Sequence, residues 1–227
     1  MALIEAAGLH KHYSSGETEV KALDGVELSL EKGDFSVLSG RSGSGKTTLL
    51  NMVGTLDSPD AGKLSIAGED VLALSRGERA AFRLAHIGFV FQAYNLIRVL
   101  SARENVAYVL QLQGIPAKER LGIADQWLEK VGLKGLERRR PDQLSGGQQQ
   151  RIAVARALVT HPDIVLADEP TANLDSHTGE ALIDLMRSLN EELGMTFLIA
   201  SHDPVVMDAA HQLYTMQDGK IVRLDLR

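Results

Sequence analysis

The chain opens with short apolar runs broken by glycine, passes through a long stretch of helical spacing, and closes with strands and helices in alternation. At the start, "ALIEAAGLHKHY", "VELSLEKG" and "KLSIAG" alternate apolar and polar positions, the pattern of a small, mostly antiparallel sheet. Between the second and third lies "DFSVLSGRSGSGKTTLLNMVG", which predicts a buried strand, a glycine-rich turn and a helix. "IGFVFQ" (87–92) predicts another strand. From about residue 93 to 160 strand signals fade. "SARENVAYVLQLQG" starts with a capping box, Ser101 with Glu104. Leu121, Ala124, Leu128 and Val131 recur at helical spacing, as do Ile152, Ala155 and Val159.

Beyond this helical lobe, "DIVLADEP" predicts a buried strand ending in two carboxylates. "TGEALIDLMRSLNEELG" predicts a helix, "MTFLIASHD" a strand, "PVVMDAAH" a short helix, and "QLYTMQ" and "KIVRLDL" two closing strands. Strand–helix alternation flanking a helical insertion predicts an α/β core with a parallel sheet, carrying an N-terminal antiparallel β-subdomain. No repeat, low-complexity segment or long linker divides the chain. Residues 1–227 are therefore expected to form one domain, with the helical subdomain at about 93–160 inside it.

Composition narrows the classes. A chain of 227 residues with 44% hydrophobic content can bury a real core. Its net charge of −6 argues against a surface that coats nucleic acid. It has no cysteine, hence neither a disulfide framework nor a thiolate metal site. "MALIEAAGLHKHY" lacks the basic and apolar regions of a signal peptide. No apolar run approaches the roughly 20 residues that span a bilayer. Any link to a membrane is expected to go through a partner.

Three segments carry candidate chemistry. Gly40 to Thr47, "GRSGSGKT", fits G-x-x-x-x-G-K-[ST], with a strand before it and a helix after. Backbone N–H groups from Gly40 and Ser42 through Thr48 would curl around phosphate oxygens at a helix N-terminus. Lys46 would bridge the β- and γ-phosphates, and the Thr47 hydroxyl would ligate Mg²⁺. Asp168 and Glu169 end an apolar strand, where open α/β sheets collect ligands. Asp168 is expected to hold Mg²⁺ and Glu169 to act as general base towards the γ-phosphate. His202 in "LIASHD" and Gln92 in "IGFVFQ" sit at neighbouring strand ends. His202 could contact the γ-phosphate or the attacking water, and Gln92 could touch Mg²⁺ or that water. On the residues alone, both stay open between functional and structural roles. So does Tyr13, a candidate stacking surface for a purine or an ordinary hairpin tyrosine. "ERRRP" (137–141) reads as a solvated basic loop.

"PDQLSGGQQQR" (141–151) poses a separate problem. Ser145 and Gln148 form a capping box. Yet the first two helical positions are Gly146 and Gly147, each about 1 kcal/mol less favourable than alanine inside a helix. A helix start stripped of side chains is an anion site.

The P-loop, the glutamine strand, "LSGGQ", "DEPTANLD" and "SHD", in this order and spacing, resemble the nucleotide-binding subunit of ATP-binding-cassette (ABC) transporters over essentially the whole chain. The resemblance implies a P-loop NTPase core, the ABC ATPase fold, with ATP and Mg²⁺ as ligands. It implies that Gln92, Glu169 and His202 are functional and that Tyr13 stacks on adenine. It also implies a homodimer in which Ser145, Gly146, Gly147 and Gln148 touch the ATP held by the other copy, with Asp175 in contact across the interface. The expected partner is an integral membrane permease at the cytoplasmic face, its helix received beside Tyr94, Leu96, Ile97 and Leu100. "FVFQAYNLIRVLSARENV" and "LADEPTANLDSHTG" look most like the lipoprotein-releasing, macrolide-exporter and cell-division group, which favours export or release. The alternative is a cell-division-type or other non-transport ABC ATPase acting mechanically on a membrane protein. Arg41 stands where such proteins usually have proline, and Ser201 where threonine is common.

Overall fold

The computed structural model describes residues 2–15 and 18–227. Met1, Gly16 and Glu17 lie outside the described residues. Strands β1 (Ile4–Ser15) and β2 (Thr18–Leu30) pair antiparallel. β3 (Phe35–Ser39) enters the central sheet and turns into α1 (Lys46–Val53). β4 (Ala61–Ile66) and β5 (Glu69–Asp70) rejoin the first sheet, and α2 (Arg76–His86) leads to β6 (Ile87–Phe91). Three helices follow: α3 (Ala102–Leu112), α4 (Ala117–Lys130) and, after a 3-10 turn at Pro141–Gln143, α5 (Gly146–Leu158). The chain then runs through β7 (Ile164–Asp168), α6 (Ser176–Leu193), β8 (Thr196–Ala200), α7 (Pro204–Asp208), β9 (Gln212–Gln217) and β10 (Lys220–Leu226).

The antiparallel sheet has the order β2-β1-β4-β5, and the central sheet β10-β9-β3-β8-β7-β6. All neighbours from β9 to β6 are parallel, and β10 is an antiparallel edge. Sheet strands send successive side chains to opposite faces. Val37, Val165, Ala167, Phe197 and Ile199 therefore join the core beneath α5 and α6. Leu38, Leu166, Leu198 and Ala200 join the core shared with α1 and the antiparallel sheet. Burial on both faces explains why these strands are apolar throughout rather than alternating. Among the described residues, no helix is long and apolar enough to cross a membrane.

The expected capping boxes are present. Ser101 accepts from the Glu104 N–H, and Ser145 from the Gln148 N–H. The short β5 and the helix α2 fall in a stretch that the apolar pattern left unassigned. α2 has no fully buried residue, so its face is weak in the sequence, but Ser75 and Glu78 form the same capping box. The strand predicted at 87–92 ends at Phe91, leaving Gln92 just beyond it. Asp175 caps α6, accepting from Thr178 N at 3.0 Å and from its hydroxyl at 2.6 Å.

The loop after Gln92 is fixed to α5 by one cation. Arg156 donates to the carbonyls of Asn95 (2.6 Å) and Tyr94 (2.9 Å). Both residues have left-handed backbones, φ 50° and 61° respectively, which non-glycine residues adopt at a cost. Burial lowers the Arg156 pKa below its usual value. Asn105, fully buried, adds a second tie through Ile97 N and the carbonyls of Ile97, Leu100 and Ser101. Hollows of about 430 Å³ and 760 Å³ flank the loop. Ile97 lines the first and Tyr94 and Leu96 the second, whereas Leu100 lines neither. Arg156→Met keeps the apolar stem and removes both charged hydrogen bonds. It should lower the unfolding free energy by about 2 kcal/mol in urea denaturation.

Candidate functional site

A cleft of about 1020 Å³ opens at the carboxyl ends of the parallel strands, where ligands collect in sheets of this kind. Its walls include Tyr13, Gly40, Ser42, Gly43, Ser44, Gly45, Lys46, Thr47, Thr48, Gln92, Asp168, Glu169 and His202. Every candidate from the phosphate loop and the strand ends thus faces one space. Arg41, Ala172 and Met207 line it too.

The loop wraps around its own lysine. Lys46 is 7% exposed and donates to Gly40 O (2.7 Å) and Arg41 O (3.3 Å). Gly45 (φ 104°) makes the turn into α1, and a Cβ there would lie 2.5 Å from Ala22 O. Glycine is the one residue that permits both the turn and the close approach. α1 has no side-chain cap at its start, so its first N–H groups remain available to an anion.

Thr47 and Asp168 meet across the cleft. The Thr47 hydroxyl donates to Asp168 Oδ1 at 3.2 Å. Burial raises the Asp168 pKa; Glu169 adds to the rise, while Thr47 and Lys46 oppose it. A desolvated carboxylate beside a hydroxyl at the phosphate loop suits a hard divalent cation. No group of three or more His, Cys, Asp or Glu that could cage a metal occurs among the described residues. Mg²⁺ takes one or two protein oxygens and completes its shell with phosphates and waters, so the Thr47–Asp168 pair would be enough to hold it.

Glu169 sits one residue past β7 with φ 45°, and its N–H donates to Ala200 O at 2.9 Å. Its carboxylate is held from two sides. His202 Nδ1 lies 2.9 Å from Oε1, and the Ser201 hydroxyl donates to Oε2 at 3.3 Å. An ionised carboxylate only accepts, so the proton of this contact is on His202 Nδ1. The imidazole is 73% exposed. Its contact here is Glu169, and its other ring nitrogen is directed away from that bond. Gln92 is exposed, and its carbonyl accepts from Asn173 Nδ2 at 2.9 Å.

Tyr13 stands at the far wall, 39% exposed. Its hydroxyl donates to Asp57 Oδ2 at 2.9 Å, and Lys11 Nζ lies 5.3 Å from the ring centroid. Burial and the Asp57 hydrogen bond raise the phenol pKa. The pinned ring offers the flat surface a purine needs.

Ser145, Gly146, Gly147, Gln148 and Asp175 do not line the cleft. Their two glycines also have a reason within the chain. A Cβ on Gly147 would come 2.4 Å from Thr178 Cγ2, and one on Gly146 would come 2.8 Å from the Tyr94 hydroxyl. Thr178 cannot easily turn away, because its hydroxyl is bonded to Asp175. A bulky residue at Gly147 would therefore first disturb the seat of α5 on α6, so its effects would not be confined to contacts outside the chain. The sequence missed this, because no local pattern pairs residue 147 with 178. It also missed Asp57 and Ser201 as hydrogen-bond partners of the site.

The chain resembles known proteins along nearly its whole length. The family description "ABC transporter" matches residues 23–172. The lipoprotein-releasing system ATP-binding protein LolD of Colwellia psychrerythraea is 44% identical over 219 residues, covering 96% of this chain and 85% of LolD. The macrolide export ATP-binding/permease protein MacB of Aggregatibacter actinomycetemcomitans is 42% identical over 98% of this chain. The chain spans only 34% of the length of that MacB. Among solved structures, the dimeric post-hydrolysis state of the ATP-binding cassette MJ0796 bound to ADP and Pi superposes with a TM-score of 0.91 at 39% identity, covering 98% of each chain. The chain thus belongs to the ABC transporter family, as an ATP-binding cassette of that family.

Proposed function

We propose that this chain binds and hydrolyses ATP as the motor subunit of a membrane permease, working as a head-to-tail homodimer on the cytoplasmic face. The observation that carries the reading is the division of the site: the phosphate loop, acids and His202 share one cleft, while Ser145 to Gln148 face elsewhere. A second copy turned head to tail would bring those residues to the open side of the cleft. The dimeric MJ0796 cassette, bound to ADP and Pi, supports this arrangement. The LolD and MacB relatives support export or lipoprotein release as the work done. We read residues 1–227 as one nucleotide-binding domain, with the helical lobe at about 93–160 passing the motion to the permease.

In this reading Tyr13 stacks on adenine and the N–H groups of residues 40–48 hold the phosphates. Lys46 exchanges its loop carbonyls for phosphate oxygens. Thr47 and Asp168 would hold Mg²⁺, with the Gln92 amide beside them, and the cation, bound there, would offset phosphate charge. Glu169 takes a proton from the attacking water, and His202 orients the terminal phosphate through its free ring nitrogen. Closure against Ser145 of the second copy excludes water, which strengthens each of these contacts.

Three outcomes are expected. Glu169→Gln should keep nucleotide binding and form an ATP-dependent dimer, yet lose about 100-fold or more in turnover, measured by phosphate release. Ser145→Asp preserves the helix cap, since aspartate caps as well as serine. It places a negative charge against the phosphates, so monomer nucleotide affinity should persist while ATP-driven dimerisation, read by size exclusion, is lost. The third outcome concerns Asp168, whose raised pKa means the native state binds more protons than the unfolded one. Apo stability therefore falls as pH rises from the unfolded carboxyl value of 3.8 through the folded one. Asp168→Asn should melt higher than the parent at pH 7, and the gap should close below pH 3.8. Thermal melts across pH, without nucleotide, check this.

A further inference from the structure

Ser201 is fully buried at the end of β8, between the base Glu169 and the cap of α7. Its backbone N–H donates to Leu38 O at 3.0 Å, fixing the residue to β3 beside the phosphate loop. Its hydroxyl has one hydrogen and two lone pairs. One lone pair is taken by the Asp203 N–H at 3.1 Å. Asp203 is itself fixed: it caps α7 by accepting from Val205 N (3.0 Å) and accepts from the Thr171 hydroxyl (2.9 Å). The Asp203 N–H fixes the oxygen, and the hydrogen is directed to Glu169 Oε2, 3.3 Å away.

Glu169 needs such a partner. Its backbone is left-handed, and, among the described residues, its other carboxylate oxygen is held by His202, on a largely exposed side chain. His202 is also the group assigned to the terminal phosphate, through the ring nitrogen that does not bond Glu169, so its exposed ring serves two contacts at once. Among the described residues, Ser201 is the one buried side-chain donor on the carboxylate.

We propose that Ser201 is a positioning residue: its buried hydroxyl, oriented by the Asp203 N–H, holds the Glu169 carboxylate in its water-activating rotamer while the exposed His202 ring engages the phosphate. The inference rests on Glu169 being the base of the ATPase, and the test separates the two.

The full chain is prepared as wild type, Ser201→Ala, Ser201→Thr, Glu169→Gln and the double variant Ser201→Ala/Glu169→Gln. Steady-state ATP hydrolysis gives kcat and KM, and a fluorescent ADP analogue gives nucleotide affinity. Ser201→Ala should lower kcat about 10-fold, as expected for a lost hydrogen bond to a charged group, with KM and ADP affinity within about 2-fold. Ser201→Thr keeps the hydroxyl and should recover most of the rate. On the Glu169→Gln background, Ser201→Ala should change the residual rate by less than about 2-fold, because a residue acting through Glu169 has nothing left to position. A purely structural role predicts a further drop there and a fall in ADP affinity, which would overturn the proposal. So would a wild-type kcat in Ser201→Ala, or a Ser201→Thr variant as slow as Ser201→Ala. If Ser201→Ala does not fold, Ser201→Cys, with its weaker donor, replaces it and should give a smaller loss of kcat at unchanged KM. Normal turnover in Glu169→Gln counts against Glu169 as the base; slow Glu169→Gln with fast Ser201→Ala counts against Ser201 alone.

Discussion

The cleft depends on the register of four parallel strands. Leu38 of β3 pairs with Ala200 of β8, Ala200 with Asp168 of β7, and Asp168 with Phe91 of β6. These residues form one row across the sheet. The chain leaves each strand at or just past that row, and the departing residues are Ser39 and the phosphate loop, Ser201 with His202, Glu169 and Gln92. A slip of one residue in any strand would turn its side chains to the opposite face. Because both faces are buried, the slip would also misplace Val165 against Leu166 or Phe197 against Leu198. The apolar packing that stabilises the sheet is therefore what aligns the chemistry.

This explains what could be read in advance. Strand ends and the phosphate loop were legible because they are local: an apolar run of fixed length, a glycine pattern, a carboxylate pair. The capping boxes at Ser101 and Ser145 were legible for the same reason. α2 was not, since a helix without a buried face leaves a weak periodic trace, though Ser75 and Glu78 carried a usable signal. The contacts that tune the site were not legible either. Asp57 lies 44 residues from Tyr13, and Ser201 lies 32 from Glu169, so each pairing exists only once the sheets are assembled.

The glycines of "LSGGQ" show how two demands can fall on one residue. Gly146 and Gly147 let α5 approach Tyr94 and Thr178 inside the chain, and they also leave a helix start free of side chains. Arg156, further along α5, grips the loop that follows Gln92. One helix therefore connects the glycines at its start to the strand end inside the cleft. A displacement of α5 would be felt at Gln92 through the two carbonyls that Arg156 holds.

The separation of Ser145 to Gln148 from the cleft of their own chain has a kinetic corollary. If a working site needs two chains, the velocity of a dilute solution scales with the square of protein concentration, not with its first power. A lone subunit can then carry nucleotide without wasting it. Two subunits held side by side on one assembly meet at a fixed local concentration, whatever their abundance in the cell. On that reading fuel use is conditional on assembly, with no inhibitor required.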